Sequence, residues 1–257
     1  MAMGDTAPGQ APELVVSGRE AVITLRRPQV ANRLEFSDLE TVRGYVREVN
    51  AMERVLVLHL RGEGKHFCSG FNINSVGTGD IGASFEALAQ ELENARPVTI
   101  AAINGGVYGG ATDLALACDF RYGVTHTQMF VPAAKLGLLF YQGGLHRYVS
   151  RLGVNMAKRV LLSCATLDAQ QMLDCGFLNE VVEPARLDEV TRALGAQLAG
   201  MAPLALLGMK KHLTQIAAGH FNASDYIQDL ARADASDDLR EGALAWQEKR
   251  APVFKGH

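Results

Sequence analysis

Two glycine-bearing segments constrain this chain most: His66-Phe-Cys-Ser-Gly-Phe-Asn-Ile73 and Asn104-Gly-Gly-Val-Tyr-Gly-Gly-Ala-Thr-Asp-Leu-Ala-Leu-Ala-Cys-Asp119. Each follows an apolar run, at 55–60 and at 98–103, that reads as a buried strand. The second segment passes straight into an Ala/Leu-rich helix beginning near Gly109. A strand, a glycine turn and a helix start leave backbone N–H groups without partners of their own. Fixed donors of that kind suit an oxygen that gains negative charge during a reaction. Oxyanion stabilisation is therefore the first chemistry to expect, before any catalytic side chain is chosen.

The chain has 257 residues and 48% hydrophobic content, enough for one large core or one domain with a small appendage. A net charge of −3 and the lack of any lysine/arginine block give no electrostatic case for nucleic acid or a membrane surface. The apolar runs are far too short to span a bilayer. Residues 1–13 read as a disordered leader without the pattern of a secretion signal. The four cysteines, Cys68, Cys118, Cys164 and Cys175, lack CxxC spacing and read as buried, reduced thiols of a cytoplasmic protein. The seven histidines lack metal-ligand spacing, so no metal is expected.

Along the first half, strand-like and helix-like runs alternate: strands at 21–25, 55–60, 98–103 and 120–124, helices at 37–49, 84–96 and from about 109. Ser37 is the expected N-cap of the first helix. Alternation of this kind predicts α/β architecture with parallel pairing. The second half reads as helices at 145–152, 155–163, 168–175, 187–201, 203–217, 225–233 and 238–250.

Taken in order, these residues resemble the crotonase superfamily of enoyl-CoA hydratase/isomerase-like proteins. The landmarks are Arg27-Pro28 with Asn32, Phe67-Cys-Ser-Gly-Phe-Asn-Ile73, Asn104-Gly with Gly109-Gly110, and Leu114-Ala-Leu-Ala-Cys-Asp119. Further along come Leu136-Gly137, Gly143-Gly144, Ala169 to Gly176, and Arg240-Glu-Gly-Ala-Leu-Ala-Trp-Gln-Glu-Lys-Arg250. The resemblance implies a spiral of ββα turns forming an acyl-CoA-binding core over 14–200, and a C-terminal helical region over 201–257 that makes trimer contacts. It also implies a homotrimer or dimer of trimers acting on an acyl-CoA thioester, with an acyl-carrier protein as another possible bearer of the thioester. Coenzyme A then belongs to the substrate, and no prosthetic group is expected.

By the same resemblance, the backbone N–H groups of Phe71 and Gly110 hold the enolate oxygen. Phe71, Asn72, Ile73 and Asn74 lie along the acyl-pantetheine. The Phe71 side chain either narrows the acyl end or faces the core. Asn32, Arg33 and Leu34, with Phe67, Cys68 and Ser69, approach the nucleotide and pantetheine, and Lys249 and Phe254 close over the adenine or phosphate, from the same or a neighbouring subunit. The two glutamates of familiar hydratases correspond to Asp113 and Ala133. Alanine transfers no proton, so a two-carboxylate hydratase is not expected. Asp113, three residues after Gly110, projects to the side of the Gly110 donor and is the candidate base, with Tyr141 and His146 as candidate substitutes for the second group.

Local similarity to the methylmalonyl-CoA decarboxylase branch, in Val107 to Asp113 and in the tail to His257, makes decarboxylation an alternative. The tyrosine expected in that branch falls on Phe140, one place before Tyr141. Isomerisation by a single base, and a non-catalytic acyl-CoA binder, complete the alternatives.

Overall fold

A computed structural model of the chain describes residues 9–71 and 81–257. Asn72, Ile73 and Asn74 lie outside the described residues. The elements run β1 (Gln10–Ser17), β2 (Glu20–Arg26), α1 (Phe36–Ala51), β3 (Val57–Gly62), β4 (His66–Cys68) and α2 (Ile81–Glu93). They continue with β5 (Val98–Ile103), β6 (Gly106–Tyr108), α3 (Gly110–Ala117), β7 (Phe120–Val124), β8 (Gln128–Phe130) and α4 (Gln142–Ser163). Last come β9 (Leu167–Asp168), α5 (Ala169–Asp174), β10 (Glu180–Val182), α6 (Leu187–Ala199), α7 (Pro203–Ala217), α8 (Ala223–Asp234) and α9 (Asp237–Glu248).

The larger sheet has the order β1-β2-β3-β5-β7-β10, and the smaller one β4-β6-β8-β9. From β2 to β10 the larger sheet is parallel, with Val57 opposite Val98 and Ile100 opposite Phe120. All six residues of β5 are buried, which explains its uninterrupted apolar run. Three successive units each place one strand in the larger sheet, the next in the smaller, and then a helix: β3-β4-α2, β5-β6-α3 and β7-β8-α4. That repeat is the ββα spiral the resemblance implied.

Several boundaries move for identifiable reasons. β1 begins at Gln10, inside the span expected as leader, because its residues pair antiparallel with β2. Ser37 does not cap α1: Glu35 does, in a reciprocal capping box with Asp38. The helices expected at 145–152 and 155–163 form one run, α4, bent at Gly153 (φ 76°, ψ 156°). That backbone conformation favours glycine.

Helices α2, α3 and α4 lie side by side and point the same way. Gly143 meets Glu86, and further along Arg147 and Arg151 both meet Glu93. Tyr148 meets Thr112 and Arg151 meets the Cys118 carbonyl. The first turns of α3 and α4 therefore gather beside the second turn of α2, with the positive dipole ends of α3 and α4 together.

Candidate active site

The two glycine segments meet at this gathering point. Gly70 has φ 86°, and a Cβ built there would lie 2.9 Å from the Tyr108 carbonyl, 3.2 Å from the Gly110 nitrogen and 3.7 Å from the Ala111 nitrogen. Only glycine lets the Gly70–Phe71 peptide run this close to the start of α3. On its other side the Gly70 carbonyl accepts from Leu34 N at 2.8 Å, and Leu34 pairs with Phe71 in a parallel bridge. In a parallel bridge that uses the Gly70 carbonyl, the Phe71 N–H points away from the Leu34 strand.

Gly109 (φ 56°) donates its N–H to the Phe130 carbonyl at 2.9 Å, so the helix begins at Gly110 with that residue's amide unspent. Among the described residues neither the Phe71 nor the Gly110 amide has an acceptor. Phe85 on α2 stands against Gly110, its ring 2.8 Å from where a Cβ would be. The Phe71 side chain is half-buried against the main core, which selects the core-facing orientation of the two left open.

Asp113 sits one turn into α3 with no exposed surface, which corrects the picture of a free base. Arg147 grips it with two prongs, Nε to Oδ1 at 2.8 Å and Nη2 to Oδ2 at 2.6 Å. The Tyr141 hydroxyl donates to Oδ2 at 2.7 Å. Three fixed donors thus occupy the carboxylate. Burial, reinforced by the Asp113 charge and hydrogen bond, pushes the Tyr141 phenol well above its ordinary 10.0, so it stays protonated. Burial works against the Arg147 charge, but Asp113 and Glu93 outweigh it and raise its pKa.

Other expected positions land elsewhere or do other work. Asn32 is 1% exposed and holds a left-handed turn (φ 52°). It accepts from Arg27 N at 2.9 Å and donates to the Glu63 and His66 carbonyls at 2.9 and 2.8 Å. Both its amide hydrogens and one lone pair of its oxygen go to the loop, so its side chain shapes the loop. Leu34, Phe67 and Cys68 are likewise buried. Arg33 pairs with Glu35, and half-buried Ser69 donates its N–H to the Ala31 carbonyl at 2.9 Å. The amides of Arg33, Leu34 and Ser69 are thus spent within the loop, and Arg33 keeps a partly exposed side chain.

His146 is exposed on α4 beside Arg147, which is 2% exposed, so the helix turns it outward. Lys249 ends α9 in a left-handed conformation and is exposed. The Phe254 carbonyl accepts from Arg19 at 2.8 Å, at the start of β2, whereas Asn32 follows its end. Phe254 is therefore not brought to the 32–34 loop within this chain.

Three residues went unnoticed in the sequence: Phe85, Glu86 and Arg147. Their signal was present as spacing. Glu86 and Glu93 are seven apart on one helix face, matching Gly143, Arg147 and Arg151 at four-residue intervals on α4. Glu86 is half-buried and its Oε1 accepts from Gly143 N at 2.5 Å.

The enoyl-CoA hydratase/isomerase family model matches residues 18–257. The chain is 33% identical over 214 residues to carnitinyl-CoA dehydratase of Proteus mirabilis, covering 79% of this chain and 82% of the relative. It is 28% identical to 2,3-dehydroadipyl-CoA hydratase of Escherichia coli, covering 95% and 99%. An enoyl-CoA hydratase subunit from Geobacillus kaustophilus superposes with a TM-score of 0.87 at 28% identity, over 96% of this chain and 99% of that one. DspI of Pseudomonas aeruginosa superposes with 0.88 at 28% identity, over 98% and 100%. The chain belongs to the enoyl-CoA hydratase/isomerase family, whose members process acyl-CoA thioesters as lyases or isomerases.

Proposed function

We propose that this protein forms an enolate from an acyl-CoA thioester and moves a proton on its acyl chain, in the manner of a double-bond isomerase. The observation that carries this reading is the approach of the Gly70–Phe71 peptide to Gly110 with both amides unspent. When the α-proton leaves, the thioester carbonyl becomes an enolate oxygen, and two fixed N–H dipoles favour that charge without reorganising. The converging first turns of α3 and α4 add positive potential at the same place.

Ala133 argues against hydration of the two-carboxylate kind, because a methyl group cannot manage the attacking water. The named activities of the relatives, a dehydratase and a hydratase on CoA thioesters, support the substrate class. Tyr141, held by Asp113, we assign to the polar wall at the acyl end. The exposed apolar side chains of α7 and α8, among them Met209, Leu213, Ile216 and Ile227, support a homotrimer built through the C-terminal helices.

The test is deuterium incorporation at the α-carbon in D₂O for a panel of saturated, 2-enoyl, 3-enoyl and malonyl-type CoA thioesters. The reading requires exchange or double-bond migration with at least one member. Binding of thioesters without exchange would identify a non-catalytic binder. CO₂ release from a malonyl-type thioester with no exchange elsewhere would identify a decarboxylase.

A further inference from the structure

Neither position that matches a hydratase glutamate offers a free carboxylate: Ala133 has none, and Asp113 already holds Arg147 and Tyr141. A carboxylate does stand at the same level of the fold, on a third element. Glu86 follows Phe85, whose ring covers Gly110. Its Oε1 is anchored by Gly143 N, two residues after Tyr141. Its Oε2 has no hydrogen-bond partner among the described residues and is not among the buried, unpartnered atoms.

Position 143 is built to admit this group. A Cβ there would stand 2.8 Å from Glu86 Oε1 and 3.5 Å from Arg147 Nη2, so glycine is what lets the carboxylate dock on the first turn of α4. One oxygen fixed and one open is the arrangement of a positioned proton-transfer group. Farther along the same face of α2, Glu93 is fully engaged by Arg147 and Arg151, so the helix presents one committed carboxylate and one uncommitted.

We infer that Glu86 is the catalytic base of this site, moving the substrate proton in place of the carboxylate absent at Ala133. The inference rests on the enolate reading above. Glu86 Oε2 takes the proton from the α-carbon (or the γ-carbon of an unsaturated chain). The C–H electron pair becomes a new carbon–carbon π bond. For a γ-proton the former α,β π pair shifts to lie between the α-carbon and the carbonyl carbon. In either case the carbonyl π pair moves onto the oxygen held by the Phe71 and Gly110 amides. The same carboxylic acid then returns its proton to the other end of the π system, and no oxidant or reductant is needed.

Glu86→Gln tests this cleanly, since the amide carbonyl still accepts from Gly143 N and keeps the start of α4. Thioester affinity by calorimetry, thermal midpoint and deuterium exchange in D₂O are compared with the wild type. The expected result is affinity within about threefold, an unchanged midpoint, and exchange lowered by roughly 10²–10⁴-fold. Glu86→Asp, with a shorter reach, should keep a measurable fraction of the exchange. Wild-type exchange that persists in Glu86→Gln overturns the inference alone and leaves Glu86 as a helix cap. A wild-type protein that binds thioesters yet exchanges none overturns the enolate reading, and the inference falls with it.

Discussion

Arg147 and Asp113 form a two-pronged ion pair sealed inside the fold, at 2.8 and 2.6 Å, with 2% and no exposed surface respectively. The pair ties α4 to α3 one turn below Gly110, and so fixes the height of the amide that the proposed chemistry uses. Glu93 extends the network to α2 through Arg147 and Arg151.

Breaking such a pair from one side strands a buried charge. Arg147→Met should cost about 3–5 kcal/mol in urea unfolding. The double variant Arg147→Met/Asp113→Leu should recover most of that loss, because no charge is left unpaired. A double variant as unstable as the single one would show that the pair matters through shape rather than charge.

Tyr141→Phe removes one hydrogen bond to a carboxylate that keeps two others. A loss of about 1 kcal/mol or slightly more is expected in thermal unfolding. Because burial, with Asp113, holds the phenol well above 10.0, the rate of the wild-type enzyme should show no tyrosine ionisation from pH 6 to about 9. A rate limb in that range that vanishes in Tyr141→Phe would contradict this placement.

The thiols of Cys68 and Cys118 are pushed by complete burial from an ordinary 9.0 up to about 12. A pKa raised on folding adds stability that is fully present below pH 9 and disappears as pH climbs toward 12. Stability should therefore fall on the alkaline side across that window. Native protein treated with iodoacetamide near pH 8 should carry no label on either residue, as read by peptide mass spectrometry. Rapid labelling of Cys68 would refute the buried assignment.

Strands β3 and β5 were legible because they are buried along an unbroken apolar run such as Val98 to Ile103, whereas β1, β4, β6, β8, β9 and β10, short or polar on one face, offered no such run. The glycine turns were legible because Gly70 and Gly109 take positive φ angles that other residues resist. The capping of α1 was not, since Glu35 and Asp38 exchange hydrogen bonds that only the folded turn creates. Nor was the fate of Asp113. Its position in the first turn of α3 was plain, but its partners Tyr141 and Arg147 lie 28 and 34 residues away, brought there by the packing of α4. Asn32 shows the same limit, a residue assigned to a ligand that turns out to hold its own loop.

Crotonyl-CoA hydration offers an independent check on Ala133. Purified protein should hydrate crotonyl-CoA weakly or not at all, monitored by loss of the enoyl absorbance. Robust hydration would mean that another group manages the water.

The central claim is that the Gly110 amide, together with that of Phe71, holds the enolate oxygen. Proline suits the first position of a helix and deletes that one N–H, but its ring would meet Phe85. The decisive measurement is therefore kcat/KM for the best exchanging thioester in Gly110→Pro/Phe85→Ala against Phe85→Ala alone. Loss of one such donor predicts a fall of roughly 10²–10³-fold with the fold intact by circular dichroism. Equal rates in the two proteins would contradict the account.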